Sequence, residues 1–135
     1  LSVLHRTLED AIDDALAAAG YSDITRSQGV VFDTLDPGGS RITDMAARAR
    51  ISVQAMGELV DGLERRGYLR RSRDPADGRA KLVQLTPKGR RATRAAIGGM
   101  NHFDEQCTAT LGPAADHFSR DLRRLADELG RAHLR

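Results

Sequence analysis

Apolar positions in the first twenty residues recur at intervals of three and four. Leu1, Leu4, Leu8, Ala11, Ile12, Ala15 and Ala19 form one stripe, which predicts an amphipathic helix over Leu1 to Ala19. Gly20 follows as a C-terminal cap. Thr25 opens T-x-x-Q with Gln28, a capping-box pattern. The helix it starts runs through Val30, Val31 and Leu35 to the turn Asp36-Pro37-Gly38-Gly39. Arg41-Ile42 fits a very short strand. Thr43 is the expected N-cap of a helix that turns Met45, Ala46 and Ala49 inward. Arg50-Ile51 makes a turn, and Ser52 caps a second helix, Val53 to Arg66. That helix gathers Met56, Leu59, Val60 and Leu63 on one face. It ends with Arg65 and Arg66 near the negative end of its dipole and Gly67 beyond.

After Gly67 the pattern changes. Leu69 to Gly89 has the layout strand, charged loop, strand, helix start. Residues 74–79, DPADGR, connect the strands, and the second strand spans Ala80 to Leu85. Thr86 as N-cap and Pro87 at the first helical position start another helix. Ala92, Ala96, Met100, Phe103, Cys107 and Leu111 continue it on one stripe. Gly98-Gly99 predicts a bend within it, and Gly112-Pro113 ends it. In the last helix Phe118, Leu122, Leu125 and Leu129 fall at spacings of four, three and four, the narrow seam used between helices. Two helices joined by a tight turn and followed by a basic hairpin predict a mainly α fold with a β-hairpin wing. The layout is a winged helix-turn-helix over 25–86, flanked by N- and C-terminal helices (1–20 and 87–135), in a single domain of 135 residues.

With three Phe, two Tyr and no Trp, the core is expected to consist mostly of Leu, Ile, Val, Ala and Met. So small and alanine-rich a domain is more easily stabilised when two copies share a core. The seams of the first and last helices also lack an obvious second layer within one chain. Leu1, Leu4, Leu8, Phe118, Leu122, Leu125 and Leu129 are therefore expected at a dimer interface, the alternative being packing within the monomer.

The longest apolar run, Ala15 to Ala19, is far short of the roughly 20 residues that span a bilayer. No signal-peptide pattern is visible, although a chain starting at Leu1 leaves a trimmed segment open. A single cysteine, Cys107, forms no internal disulfide, and a reducing cytoplasm is the default. Its stripe, shared with Phe103 and Leu111, predicts a buried, inert thiol. His5, His102, His117 and His133 have no close metal spacing, so neither a metal nor a cofactor is expected. No nucleophile–base pair or phosphate loop marks an enzyme.

The net charge is only +2, but it is segregated. Arg41 to Arg91 holds 13 basic and 6 acidic residues, against 8 and 13 in the remainder. One region that meets a polyanion explains this, as does a solvated, salt-bridged surface. The second helix of the pair leaves Ser52, Gln54, Ala55, Gly57 and Glu58 facing out near its start. Gln54 suits a bidentate contact to adenine, Ala55 a thymine methyl, and Glu58 a cytosine amino group. At the wing, Arg79 suits a narrow minor groove, where Asp77 can orient its guanidinium and Gly78 permits the turn. Arg71, Arg73 and Lys81 add positive charge beside it. Thr43 and Val53 complete the expected DNA-facing set. The other class these features admit is a winged-helix protein-interaction module with weak or no DNA binding, which Glu58 and the modest net charge favour.

At these residues the chain resembles the multiple antibiotic resistance regulator (MarR) family of bacterial winged-helix transcription factors. The resemblance runs through ITDMAARARISVQAMGELVDGLERRGYLRRSRDPADGRAKLVQLTPKGR, with DPADGRAKLVQLTPKG its most specific piece. It implies a homodimer on a pseudo-palindromic operator of double-stranded DNA, usually as a repressor. Arg79 would enter the minor groove with support from Asp77, and the helix opening at Ser52 would lie in the major groove. The family often has Thr, Ser and Arg where this chain has Ala55, Gly57 and Glu58, which implies altered specificity. The resemblance also implies a small aromatic anionic effector bound between the dimer helices and the winged part. Leu8, Ile12, Phe32 and Met100 would line that cleft, with His5, Arg6 or His102 as charge partners.

Overall fold

Six α-helices and one hairpin follow the order read from the apolar pattern. In the computed structural model, which describes residues 1–133, they are α1 (Ser2–Ala18), α2 (Gly29–Thr34), α3 (Ile42–Ala49), α4 (Val53–Arg65), β1 (Leu69–Asp74), β2 (Asp77–Leu85), α5 (Pro87–Leu111) and α6 (Ala115–His133). Short 3-10 turns at Arg26–Gln28 and Gly112–Ala114 precede α2 and α6. The side chain of His133 lies outside the described residues. The chain divides into two compact units, Leu1–Met100 and the residues from Asn101 onward. The winged helix-turn-helix and α1 lie in the first unit; α6 lies in the second.

Local chemistry accounts for most boundaries. Gly20 and Gly67 take positive φ, 88° and 82°, where α1 and α4 have ended. The Gln28 side chain accepts from the Thr25 N–H at 3.0 Å, the returning half of a capping box. Ser52 caps α4 by accepting from the Ala55 N–H at 3.0 Å, and Thr86 caps α5 by accepting from the Gly89 N–H at 3.1 Å. The expected N-cap at Thr43 moves two residues back. Arg41 holds that position, with no capping side chain, and Thr43 is exposed in the first turn of α3. The short strand expected at Arg41-Ile42 moves back as well, to a single bridge between Ser40 and Val83 on the free edge of the wing.

The core of the first unit gathers Val31, Met45, Met56, Val60, Leu63 and Val83, each essentially inaccessible to solvent. Leu16, which the N-terminal stripe left out, is the buried residue of α1. The largest fully buried side chain is aromatic after all: Tyr68. Its hydroxyl donates to Asp23, its ring meets Tyr21 edge-on at 6.1 Å, and Lys88 Nζ lies 4.3 Å from the ring centroid. Burial and the Asp23 carboxylate push the Tyr68 hydroxyl well above its usual pKa, and the same hydrogen bond holds Asp23 below the usual carboxylate range.

α5 runs unbroken through Gly98-Gly99. Gly99 lets α1 approach. A Cβ there would meet Ala11 O at 2.6 Å and Ala15 Cβ at 2.9 Å. Cys107 is half-exposed rather than buried. The seam residues are open to solvent. Leu1 is 88% exposed and Leu4 45% in the first unit; in the second, Phe118, Leu122, Leu125 and Leu129 lie between 39% and 54%. Leu8 is half-buried.

Candidate nucleic-acid interface

The turn between α3 and α4 depends on one residue outside the usual backbone regions. Arg50 adopts φ 56°, ψ 40° as the C-cap of α3, a left-handed conformation that L-residues seldom take. This reverses the chain so that Ile51 and Ser52 can open α4. Behind α3, Arg48 donates to the Thr34 carbonyl at 2.8 Å and to Asp36 Oδ2 at 2.9 Å. The second contact holds Asp36 below the usual carboxylate range.

The start of α4 is presented to solvent while its other face is fixed by Met56, Val60 and Leu63. Ser52, Val53, Gln54 and Glu58 are exposed, and Ala55 and Gly57 half-exposed. With its lone pair on the Ala55 N–H, the Ser52 hydroxyl still has its proton to donate. Gln54 and Glu58, one turn apart, are linked by a 3.3 Å hydrogen bond from the amide to the carboxylate. The apolar side chain of Val53 is 51% exposed at the same end.

The wing differs from the expected geometry at its tip. Pro75 and Ala76 make the turn, and Asp74 pairs with Asp77. Pairing then skips to Arg73 with Lys81, so residues 78–80 bulge from β2 without partners on β1. Gly78 is therefore part of this bulge, not the turn, and among the glycines of positive φ it is absent. The bulge carries Arg79, which is exposed and whose guanidinium has no carboxylate partner among the described residues. The expected Asp77–Arg79 side-chain pair does not form. Asp77 Oδ1 accepts the Arg79 backbone N–H at 3.1 Å, and its Oδ2 lies 3.8 Å from Arg41. It orients the backbone of Arg79 and leaves the guanidinium available.

Asp74, which the sequence placed at the tip without a role, anchors the wing. Its Oδ1 accepts the Ala76 N–H at 2.9 Å, and its Oδ2 accepts from Arg41 Nε at 2.9 Å and Nη2 at 2.6 Å. These donors hold its carboxyl below the usual range, the backbone N–H contributing most. Arg41 thus ties the hairpin to the start of α3. Its part was hidden in the sequence because its partner is 33 residues away. Arg71 is also held within the fold. It does not reach outward from the wing but binds Asp61 at 2.6 Å and Glu64, bracing β1 against α4. Arg73 and Lys81, paired across the hairpin, are exposed and remain the cations beside Arg79.

A separate cleft of about 490 Å³ opens in the first unit, lined by residues of α1, α2 and the first half of α5. His5, Leu8, Ile12, Phe32 and Met100 line it as expected. Arg6 does not, and His102 falls in the second unit. The guanidinium present is that of Arg26, which sequence reasoning did not single out. Among the described residues no group of His, Cys, Asp and Glu could hold a metal. No described helix is long and apolar enough to cross a membrane.

A helix-turn-helix whose second helix presents a polar N-terminal end, followed by a two-stranded hairpin with a cationic bulge, defines a winged-helix protein. The sequence profile of the MarR family matches residues 22–80. The transcriptional regulator HosA of Escherichia coli O111:H- is 31% identical over 107 residues, 76% of this chain and 78% of that protein. Among solved structures, the transcriptional regulator Tm0710 of Thermotoga maritima is 26% identical, with a TM-score of 0.66 over 100% of this chain and 94% of that one. The PcaV transcriptional regulator of Streptomyces coelicolor, solved with its natural ligand, is 30% identical, with a TM-score of 0.59 over 92% and 89%. The chain belongs to the MarR family, a family of transcriptional regulators rather than enzymes.

Proposed function

We propose that this regulator is a cytoplasmic, homodimeric repressor that reads a pseudo-palindromic operator in double-stranded DNA and responds to an effector. One observation carries the DNA reading: within one compact unit, the exposed start of α4 and the unpaired Arg79 on the wing bulge are both left available. In this arrangement α4 enters the major groove, with Ser52, Val53, Gln54, Ala55, Gly57 and Glu58 near base edges. Arg79 enters the adjacent minor groove, where cations are attracted by the negative potential. Thr43, Arg73 and Lys81 contact phosphates, and Asp77 and Gly78 shape the bulge. Glu58 accepts from Gln54 and keeps acceptor capacity for a cytosine amino group.

Support for the dimer comes from each unit separately. Leu1 and Leu4 in the first, and Phe118, Leu122 and Leu125 in the second, leave apolar surface in water that a second copy would cover. Two recognition helices then match half-sites about 34 Å apart, one turn of B-DNA. Sedimentation at micromolar concentration is expected to show a dimer. Leu122→Glu together with Leu125→Glu would put two charges on that seam and give monomers that keep their helical signal. A stable parental monomer contradicts the dimer. The effector reading is supported by the cleft, whose volume lies in the range of ordinary small-molecule sites.

A further inference from the structure

The cleft in the first unit combines apolar walls with an acidic lining. Leu8, Ile12, Val30, Phe32, Ala96 and Met100 supply the walls. Its charged lining consists of Glu9, Asp13, Asp33 and Arg26, with His5 near the start of α1. Three carboxylates thus share the lining with one guanidinium, and that guanidinium is already committed. Arg26 Nε donates to Asp13 Oδ2 at 2.7 Å, Nη1 to Glu9 Oε2 at 3.1 Å and Nη2 to Asp10 Oδ1 at 2.5 Å. Asp13 follows Glu9 by four residues and Asp10 by three, which brings all three carboxylates within reach of the same cation. His5 Nε2 lies 3.5 Å from Glu9 Oε1, so the remaining basic group also faces a carboxylate. Asp33 has no cationic partner among the described residues.

Among the described residues, the basic groups that line this space, Arg26 and His5, already face carboxylates, so an anion would have to compete for them. It would also lie close to carboxylates, whose repulsion adds to that competition. A cation meets the reverse conditions. We propose that the cleft binds a lipophilic aromatic cation, a flat ring system carrying an ammonium group, with the rings against Phe32, Ile12 and Met100 and the charge toward Asp33, Glu9 and Asp13. This assignment rests on the effector-responsive function above and names the ligand class for it. The chemistry is opposite in sign to the anionic effector that the family resemblance implies.

Calorimetric titration of the full chain with 1-naphthylmethylammonium and with 1-naphthoate tests it, because the rings match and the charge differs. The cation is expected to bind at least about tenfold tighter than the anion, an order-of-magnitude preference of the kind one favourable charge contact supplies. Asp33→Asn is expected to weaken cation binding while leaving the Arg26 cluster intact. Glu9→Gln combined with Asp13→Asn, which removes two of the three carboxylates on Arg26, is expected to abolish the preference. Circular dichroism establishes that each variant is folded. Equal or tighter binding of naphthoate overturns the proposal, and so does the absence of binding by either probe at millimolar concentration. Duplex binding is scored separately. Cation binding that leaves the duplex bound supports the cleft and removes only its effector role.

Discussion

The Gly89→Ala variant is expected to unfold at a clearly lower urea concentration than the parent, with a loss of about 3 kcal/mol, the upper end of what overpacking costs. Gly89 is buried in the first turn of α5, and a Cβ there would meet the Tyr68 carbonyl oxygen at 2.1 Å. That carbonyl has little room to move. It accepts from the Thr86 N–H at 3.0 Å and from the Thr86 hydroxyl at 3.1 Å, the residue that caps α5. Tyr68 itself is fixed by burial and by Asp23. Relief of the clash must therefore shift either the base of the wing or the start of α5. Equilibrium unfolding reads the effect as a lower midpoint with an unchanged denaturant slope. An unchanged midpoint would show that the approach of α5 to Tyr68 is looser than described.

Arg79→Ala is expected to weaken operator binding by roughly 10- to 100-fold, about 1–3 kcal/mol for one good groove contact. The side chain is exposed on a bulge and engages no carboxylate, so its removal leaves no buried charge and should leave the folded state intact. Fluorescence anisotropy with a labelled operator measures the affinity, and thermal unfolding checks stability. Arg71→Ala provides the contrast. Its guanidinium joins β1 to Asp61 and Glu64, so its loss acts first on the packing of the wing. Unchanged operator affinity for Arg79→Ala would show that the bulge stays outside the groove.

Most helix boundaries and the order of elements were legible because they depend on local signals. A three-and-four apolar period, Ser52 and Thr86 before their helices, and Gly20 and Gly67 after theirs act within one or two turns. The exposed start of α4 was legible for the same reason. What was hidden depends on partners distant in sequence. Arg41 meets Asp74 across 33 residues, Tyr68 meets Asp23 across 45, and Arg26 meets Glu9 across 17. The packing role of Gly99 was hidden because the sequence does not show that the α1 backbone passes beside it. At the wing tip, DPADGR suggested a six-residue loop with its turn at Gly78. Asp74 instead closes a tighter turn by accepting the Ala76 N–H, which moves the extra residues into β2. Arg71, Arg6 and His102 show why charge in sequence is an incomplete guide. Arg71 is taken up by acids on α4, and Arg6 does not line the cleft.

The DNA-reading function is tested most directly by binding to duplex DNA across a salt series. If Arg73, Arg79, Lys81 and the start of α4 meet phosphates and grooves, the logarithm of the affinity falls linearly with the logarithm of salt concentration, with a slope of about −0.9 per phosphate contact. Arg79→Ala and Lys81→Ala should each make that slope shallower. No detectable binding at low salt, or an affinity indifferent to salt, would contradict it.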